Sequence, residues 1–104
     1  MAEHTREEFR DKLREFIGSN NTYYRPPETV KMSYPCVVYD MDKPHILRAN
    51  NRIYSFKNCY TVTFISTNTQ WIDIETVLNT FKFSEFDRVY ISDRLTHWVF
   101  RIYY

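Results

Sequence analysis

Between Thr5 and Ile17 the apolar residues Phe9, Leu13, Phe16 and Ile17 fall at i, i+4, i+7 and i+8, one stripe on an otherwise charged cylinder. That spacing predicts an amphipathic helix. Thr5 and Glu8 fit a capping box at its start, where side chains satisfy N–H groups that have no partner inside the helix. Gly18, the only glycine of the chain, stands where a left-handed residue ends a helix, and Ser19-Asn20-Asn21 follows.

From Tyr34 onward the period shortens toward two. Tyr34 to Met41 carries Val, Tyr and Cys, with Pro35 near its start, where a missing N–H is tolerated. Ile46–Arg48 and Arg52–Phe56 flank Asn50-Asn51, and asparagine accepts positive φ well enough to predict a tight hairpin. Cys59 to Thr67 alternates, with Tyr60, Val62 and Phe64 on one face and Thr61 and Thr63 on the other. A second helix is predicted over Gln70–Phe81, striped by Trp71, Ile74, Leu78 and Phe81, with Thr67 and Gln70 as a second capping box. Two last strands, Arg88–Ser92 and His97–Tyr104, meet at a polar turn, Asp93-Arg94. The final one, HWVFRIYY, is either an unprotected sheet edge that invites another chain or a central, already paired strand.

Residues 19–33 show no period and contain Pro26-Pro27, a long connection of the kind that is often functional or mobile. Within it Tyr23, Tyr24 and Arg25 either pack on the sheet or dock a partner. The order helix, four strands, helix, two strands predicts one α+β domain over residues 1–104. Its expected architecture is a single, mostly antiparallel sheet of about four to six strands with two helices on one face.

Composition narrows the chemistry. The chain has 104 residues, among them nine Tyr, eight Phe, two Trp and one Gly. A single glycine excludes the glycine-rich loops that cradle dinucleotides or triphosphates. Fourteen Lys+Arg against thirteen Asp+Glu leave +1, which gives no electrostatic reason to seek nucleic acid or an anionic membrane. No apolar run approaches the roughly 20 residues of a membrane span, and the charged N-terminus has no apolar stretch behind it, so a signal peptide is not expected. Cys36 and Cys59 are expected as small buried thiols of a protein made in a reducing cytoplasm.

Candidate catalytic groups are sparse. His45 near Asp40 and Asp42, or His97 near Asp93, could do acid–base work if the side chains met in a cleft, but each also suits an ordinary turn or strand end. His4 is expected in solvent. Zinc-ligand spacings are missing, so no metal and no cofactor are expected. Arg48, Arg52, Tyr54, Tyr90 and Arg101 could line a sheet face that stacks bases, yet Tyr and Arg are also the residues enriched between proteins. Near-neutral charge favours the protein partner.

Several segments, in order, make the chain resemble the tail terminator (tail completion) proteins of long-tailed bacteriophages and prophages. They are Pro26-Pro27 ahead of Tyr34-Pro35-Cys36-Val37-Val38-Tyr39, the turn Ala49-Asn50-Asn51-Arg52-Ile53-Tyr54, the strand Tyr60-Thr61-Val62-Thr63, and Phe86-Asp87-Arg88. The last is the ending Asp93, Leu95, His97, Val99, Phe100 and Tyr103-Tyr104. Asn50 stands where that family usually has an acidic residue, and Thr69-Gln70-Trp71 where its helix start is more acidic. The resemblance implies a non-enzymatic virion protein of the tail and neck, assembled in the host cytoplasm. Its members form a homo-oligomeric ring, usually of six, that caps the tail tube protein and meets a neck connector or stopper protein, with genomic DNA only passing through the lumen. Arg48, Asn50, Asn51, Arg52, Tyr54 and Arg101 are then candidates for subunit or lumen contacts, and Tyr23, Tyr24 and Arg25 for docking a neighbouring ring. Another head–tail neck component is the alternative within the class; a small nucleic-acid-binding or enzymatic domain is the alternative outside it.

Overall fold

The structure, a computed structural model, describes residues 5–27, 29–41, 45–49 and 52–104, with 45–49 and 52–57 described by their backbone. Helix α1 spans Arg6–Ile17, as its stripe predicts. The Thr5 hydroxyl accepts the Glu8 N–H at 3.2 Å, and Gly18 closes the helix at φ 66°, its N–H donating to the Arg14 carbonyl. A Cβ on Gly18 would meet nothing within 4 Å, so backbone conformation alone calls for glycine there.

Strands β1 (Thr22–Tyr24), β2 (Cys36–Met41), β5 (Cys59–Ser66), β6 (Ser84–Ser92) and β7 (Leu95–Tyr103) form one five-stranded sheet in the order β1-β2-β5-β7-β6. Only β1–β2 is parallel; the other pairs are antiparallel. This is the expected α+β architecture. The hairpin of β3 (His45–Ala49) and β4 (Arg52–Lys57) departs from it, because the two strands pair only with each other in a separate ladder. The predicted turn residues Asn50 and Asn51 lie outside the described residues.

Alternation along the strands gives the sheet a helix face and a helix-free, open face, although Cys36, Cys59, Ile65 and Val99 on the latter are buried too. On the helix face Val37, Tyr39, Tyr60, Val62, Phe64, Trp98, Phe100 and Ile102 are buried beneath Phe9 and Leu13 of α1 and Val77 and Phe81 beyond it. Phe9 is the keystone: its ring stacks on Tyr60 at 4.2 Å and meets Tyr39 edge-on at 5.9 Å.

The second helix is shorter than predicted. α2 spans Ile74–Thr80, with Asp73 as its N-cap. Thr67 and Gln70 do not cap it: the Ser66 hydroxyl accepts the Asn68 N–H at 3.0 Å and the Asn68 side chain accepts the Gln70 N–H at 2.9 Å. These local turns hold residues 66–70 out of the helix, and they place Trp71 edge-on to Phe64 and Trp98.

Strand β7 is central, between β5 and β6, so HWVFRIYY is the paired strand and not the edge. Asp93 and Arg94 form the predicted two-residue turn, both at positive φ (52° and 65°), between the paired Ser92 and Leu95.

Candidate assembly surfaces: the open face and the two sheet edges

The edge strands are β1 and β6. Strand β6 is unusual because eight of its nine residues are exposed. A bulge at Asp87 resets its alternation, so that Phe86, Val89 and Ile91 share the helix face with their partners Phe100, Trp98 and Thr96. α2 touches β6 but does not bury these three. α2 directs Val77, and its C-cap Phe81, into the core, α1 lies over β1 and β2, and the β6 margin keeps Phe83, Phe86, Val89 and Ile91 exposed, Ile91 by 68%. Phe86 meets Phe100 edge-on at 5.3 Å.

Hydrogen-bond parity fixes which backbone groups of β6 look outward. The Phe83 carbonyl accepts the Tyr103 N–H at 2.8 Å, and at the other end Ser92 and Leu95 flank a two-residue turn. Alternating from either end, Glu85, Arg88, Tyr90 and Ser92 bond inward to β7, and Ser84, Phe86, Val89 and Ile91 direct N–H and C=O outward. Both counts agree once the bulge is included.

At the opposite edge, β1 holds Tyr23, Tyr24 and the approach to Arg25. The three residues are therefore part of a strand and its end, not of an irregular loop. Asn21 and Arg25 bond to β2, the Val37 N–H to the Asn21 carbonyl at 3.0 Å and the Arg25 N–H to the Tyr39 carbonyl at 3.2 Å. Thr22 and Tyr24 therefore face outward through their backbone. The Thr22 N–H is already used by Asn20, at 2.8 Å. Their side chains lie on the helix face: Arg14 Nε donates to the Thr22 hydroxyl at 3.0 Å, and the Arg6 guanidinium lies 4.3 Å over the Tyr24 ring. Tyr23 lies on the open face, its hydroxyl accepting the Ser33 N–H at 3.0 Å. Arg25, at φ 45°, pairs with Asp40 and donates to the Met41 carbonyl at 2.9 Å.

The open face carries the remaining candidates. Arg101 sits beside Glu85 across the β6–β7 pair, and Tyr90 stacks on His97 at 4.6 Å, nearly parallel. The Nδ1 of His97 is 3.0 Å from the Leu95 carbonyl. The described contacts of His97 are thus a ring and a carbonyl, and Asp93 belongs to the turn. Asp40 is taken by Arg25; Asp42 and His4 lie outside the described residues, and His45 is described by its backbone, opposite Lys57. The backbone places Arg48 opposite Ile53 and Arg52 opposite Ala49 in the β3–β4 ladder, with Tyr54 on β4; their side chains lie outside the description.

Cys36 and Cys59 are both free and buried. Cys36 pairs with Ile65 and Cys59 with Tyr103, at opposite ends of β5. Burial pushes the Cys36 thiol up to about 11, which suppresses the thiolate and its nucleophilicity. Among the described residues no three His, Cys, Asp or Glu side chains are placed to hold a metal ion. No helix among them is long and apolar enough to cross a membrane.

Comparison with protein-family models, with curated proteins and with solved structures gives no match for this chain.

Proposed function

We propose that the chain is a structural subunit of a phage tail, a tail-terminator-like protein that assembles into a ring, six-membered by analogy with the family. Such a ring ends tail-tube growth and joins the tail to the neck connector. The observation that carries the reading is β6: a nine-residue edge strand, exposed along nearly its whole length, with Phe86, Val89 and Ile91 on one side and Phe83 just before it. Natural edge strands are usually short, charged or covered. The first half of β6 carries Glu85, Asp87, Arg88 and the bulge, but its second half, Val89 to Ile91, is uncharged and exposed, and such a stretch of edge is a place where another chain can pair.

The order of the motifs from Pro26 to Tyr104 and the α+β fold support the same reading. In it the protein is a non-enzymatic virion component, and the net charge of +1 per subunit suits a lumen that lets DNA pass without gripping it. The β3–β4 hairpin, with Arg48, Arg52 and Tyr54, is the candidate lumen or subunit element. Native mass spectrometry and negative-stain microscopy at micromolar protein test the proposal. Closed rings that cap purified tail tubes are expected; a chain that stays monomeric beside tail tubes overturns it. Rings that bind only connectors and ignore tubes would transfer it to another neck component.

A further inference from the structure

We infer that neighbouring copies join edge to edge, β6 of one subunit lying antiparallel to β1 of the next in one continuous sheet. The inference rests on the ring reading and adds the contact that would build it. Its occupant is a second copy of this chain, because the two edges match in four independent respects.

Direction is the first. β1 runs parallel to β2, and the remaining strands alternate, so β6 runs opposite to β1. A copy added by a small rotation therefore presents β1 antiparallel to β6, the better-bonded arrangement. Parity is the second. The outward backbone groups belong to Phe86 and Val89 on β6 and to Tyr24 and, through its carbonyl alone, Thr22 on β1, and all four side chains lie on the helix face. Joining the edges keeps every helix on the same side of the sheet, as a cyclic assembly requires.

Side-chain chemistry is the third. The pairing register runs level across the sheet: Tyr24, Tyr39, Val62, Phe100 and Phe86 share one row, and Thr22, Val37, Phe64, Trp98 and Val89 another. Continued into the next copy, Tyr24 meets Phe86, Tyr23 meets Arg88 at the bulge, and Thr22 meets Val89. These are an aromatic pair, a cation over a ring, and a β-branched pair. Charge is the fourth. Asp40, Thr61, Arg101 and Glu85 form the adjoining row, and Arg25, beside Asp40, therefore falls opposite Glu85 of its neighbour. Arg6 and Arg14 flank the β1 edge, and the β6 edge carries Glu85 besides Asp87, which is paired with its neighbour Arg88 at 2.8 Å. The contact is heterologous, so it can close a ring and needs no second interface.

Cross-linking tests it. Glu85 bonds inward to its own sheet and Arg25, one residue past β1 at φ 45°, does so too, so between copies they stand at the end of the ladder as a non-hydrogen-bonded pair, a kind whose Cα atoms in a regular ladder are about 4.5 Å apart, within disulfide range. Both side chains are exposed, and the native Cys36 and Cys59 are buried. Mixing an Arg25→Cys chain with a Glu85→Cys chain under mild oxidation should give covalent dimers. Either chain alone should give at least tenfold fewer. The double variant should give a ladder ending at the ring size. Val89→Lys should abolish rings while leaving the circular dichroism of the monomer unchanged. Rings that form without the mixed cross-link, or Glu85→Cys chains that couple to themselves, overturn the edge-to-edge contact and leave the ring reading standing. Absence of any assembly overturns both.

Discussion

Gly18 and the buried phenol and thiol groups show how much single residues decide here. At φ 66° with open space around a Cβ, Gly18 is held by conformation alone. Gly18→Ala should therefore destabilise the fold by about 1 kcal/mol in urea titration, and Gly18→Asn by less, because asparagine tolerates the left-handed region. A loss above about 3 kcal/mol for alanine would point to a steric role that the geometry excludes. Cys36 and Tyr60 make the second case. Burial raises Cys36 from 9.0 to about 11 and Tyr60 from 10.0 to about 12, and burial also raises Tyr39. In each, the folded state holds its proton more tightly than the unfolded state, so the stabilisation is complete below the unfolded value. It is lost as pH climbs through the folded one. Melting temperature should thus be flat near neutrality and fall from about pH 9 to 12, more shallowly in Tyr60→Phe. A fall confined to pH below 8 would contradict this assignment.

The hairpin of β6 and β7 shows the same logic in an element. Asp93 and Arg94 occupy φ 52° and 65°, and the preferred residues for such a turn are Asn and Gly. Replacing the pair by Asn-Gly should stabilise the protein by about 1 kcal/mol, read as a higher urea midpoint at unchanged slope. Elements whose burial follows one clean period were legible in the chain: α1 from Phe9 and Leu13, β5 from Tyr60, Val62 and Phe64, and this turn from its polar pair. Three were not, each for a physical reason. Strand β1 is three residues long, too short for any period, and its place is fixed by β2 backbone bonds from Asn21 and Arg25. The start of α2 was hidden because Thr67 and Gln70 have capping-box spacing, yet Ser66 and Asn68 bend the backbone first. The first half of β6 was missed because the Asp87 bulge spaces Phe86 and Val89 three apart, a helical interval inside a strand. Of the candidate surface, the residues are legible in the sequence but their place in the sheet is not. The sequence marks Tyr23, Tyr24 and Arg25 without showing that they form a strand, and it leaves HWVFRIYY either edge or centre, where the structure makes β7 central and β6 the edge.

For the whole molecule, the uneven cover of the sheet is the central fact. Phe9 ties both helices to the strands, and Phe9→Ala should cost about 3–5 kcal/mol, whereas the β6 margin contributes little to the monomer because its side chains face solvent. Stability and assembly should therefore separate along the sheet. Amide hydrogen exchange measures both at once. In dilute monomer the Phe86, Val89 and Ile91 N–H groups point away from β7, so they should exchange at least about a hundredfold faster than those of Tyr60–Phe64, which are paired on both sides. At concentrations where rings form, Phe86, Val89, Ile91 and Tyr24 should slow together, with no change in β5. Slowing confined to residues 45–49 and 52–57 would instead assign the subunit contact to the β3–β4 hairpin. It would leave the apolar edge of β6 to a partner other than a copy of this chain.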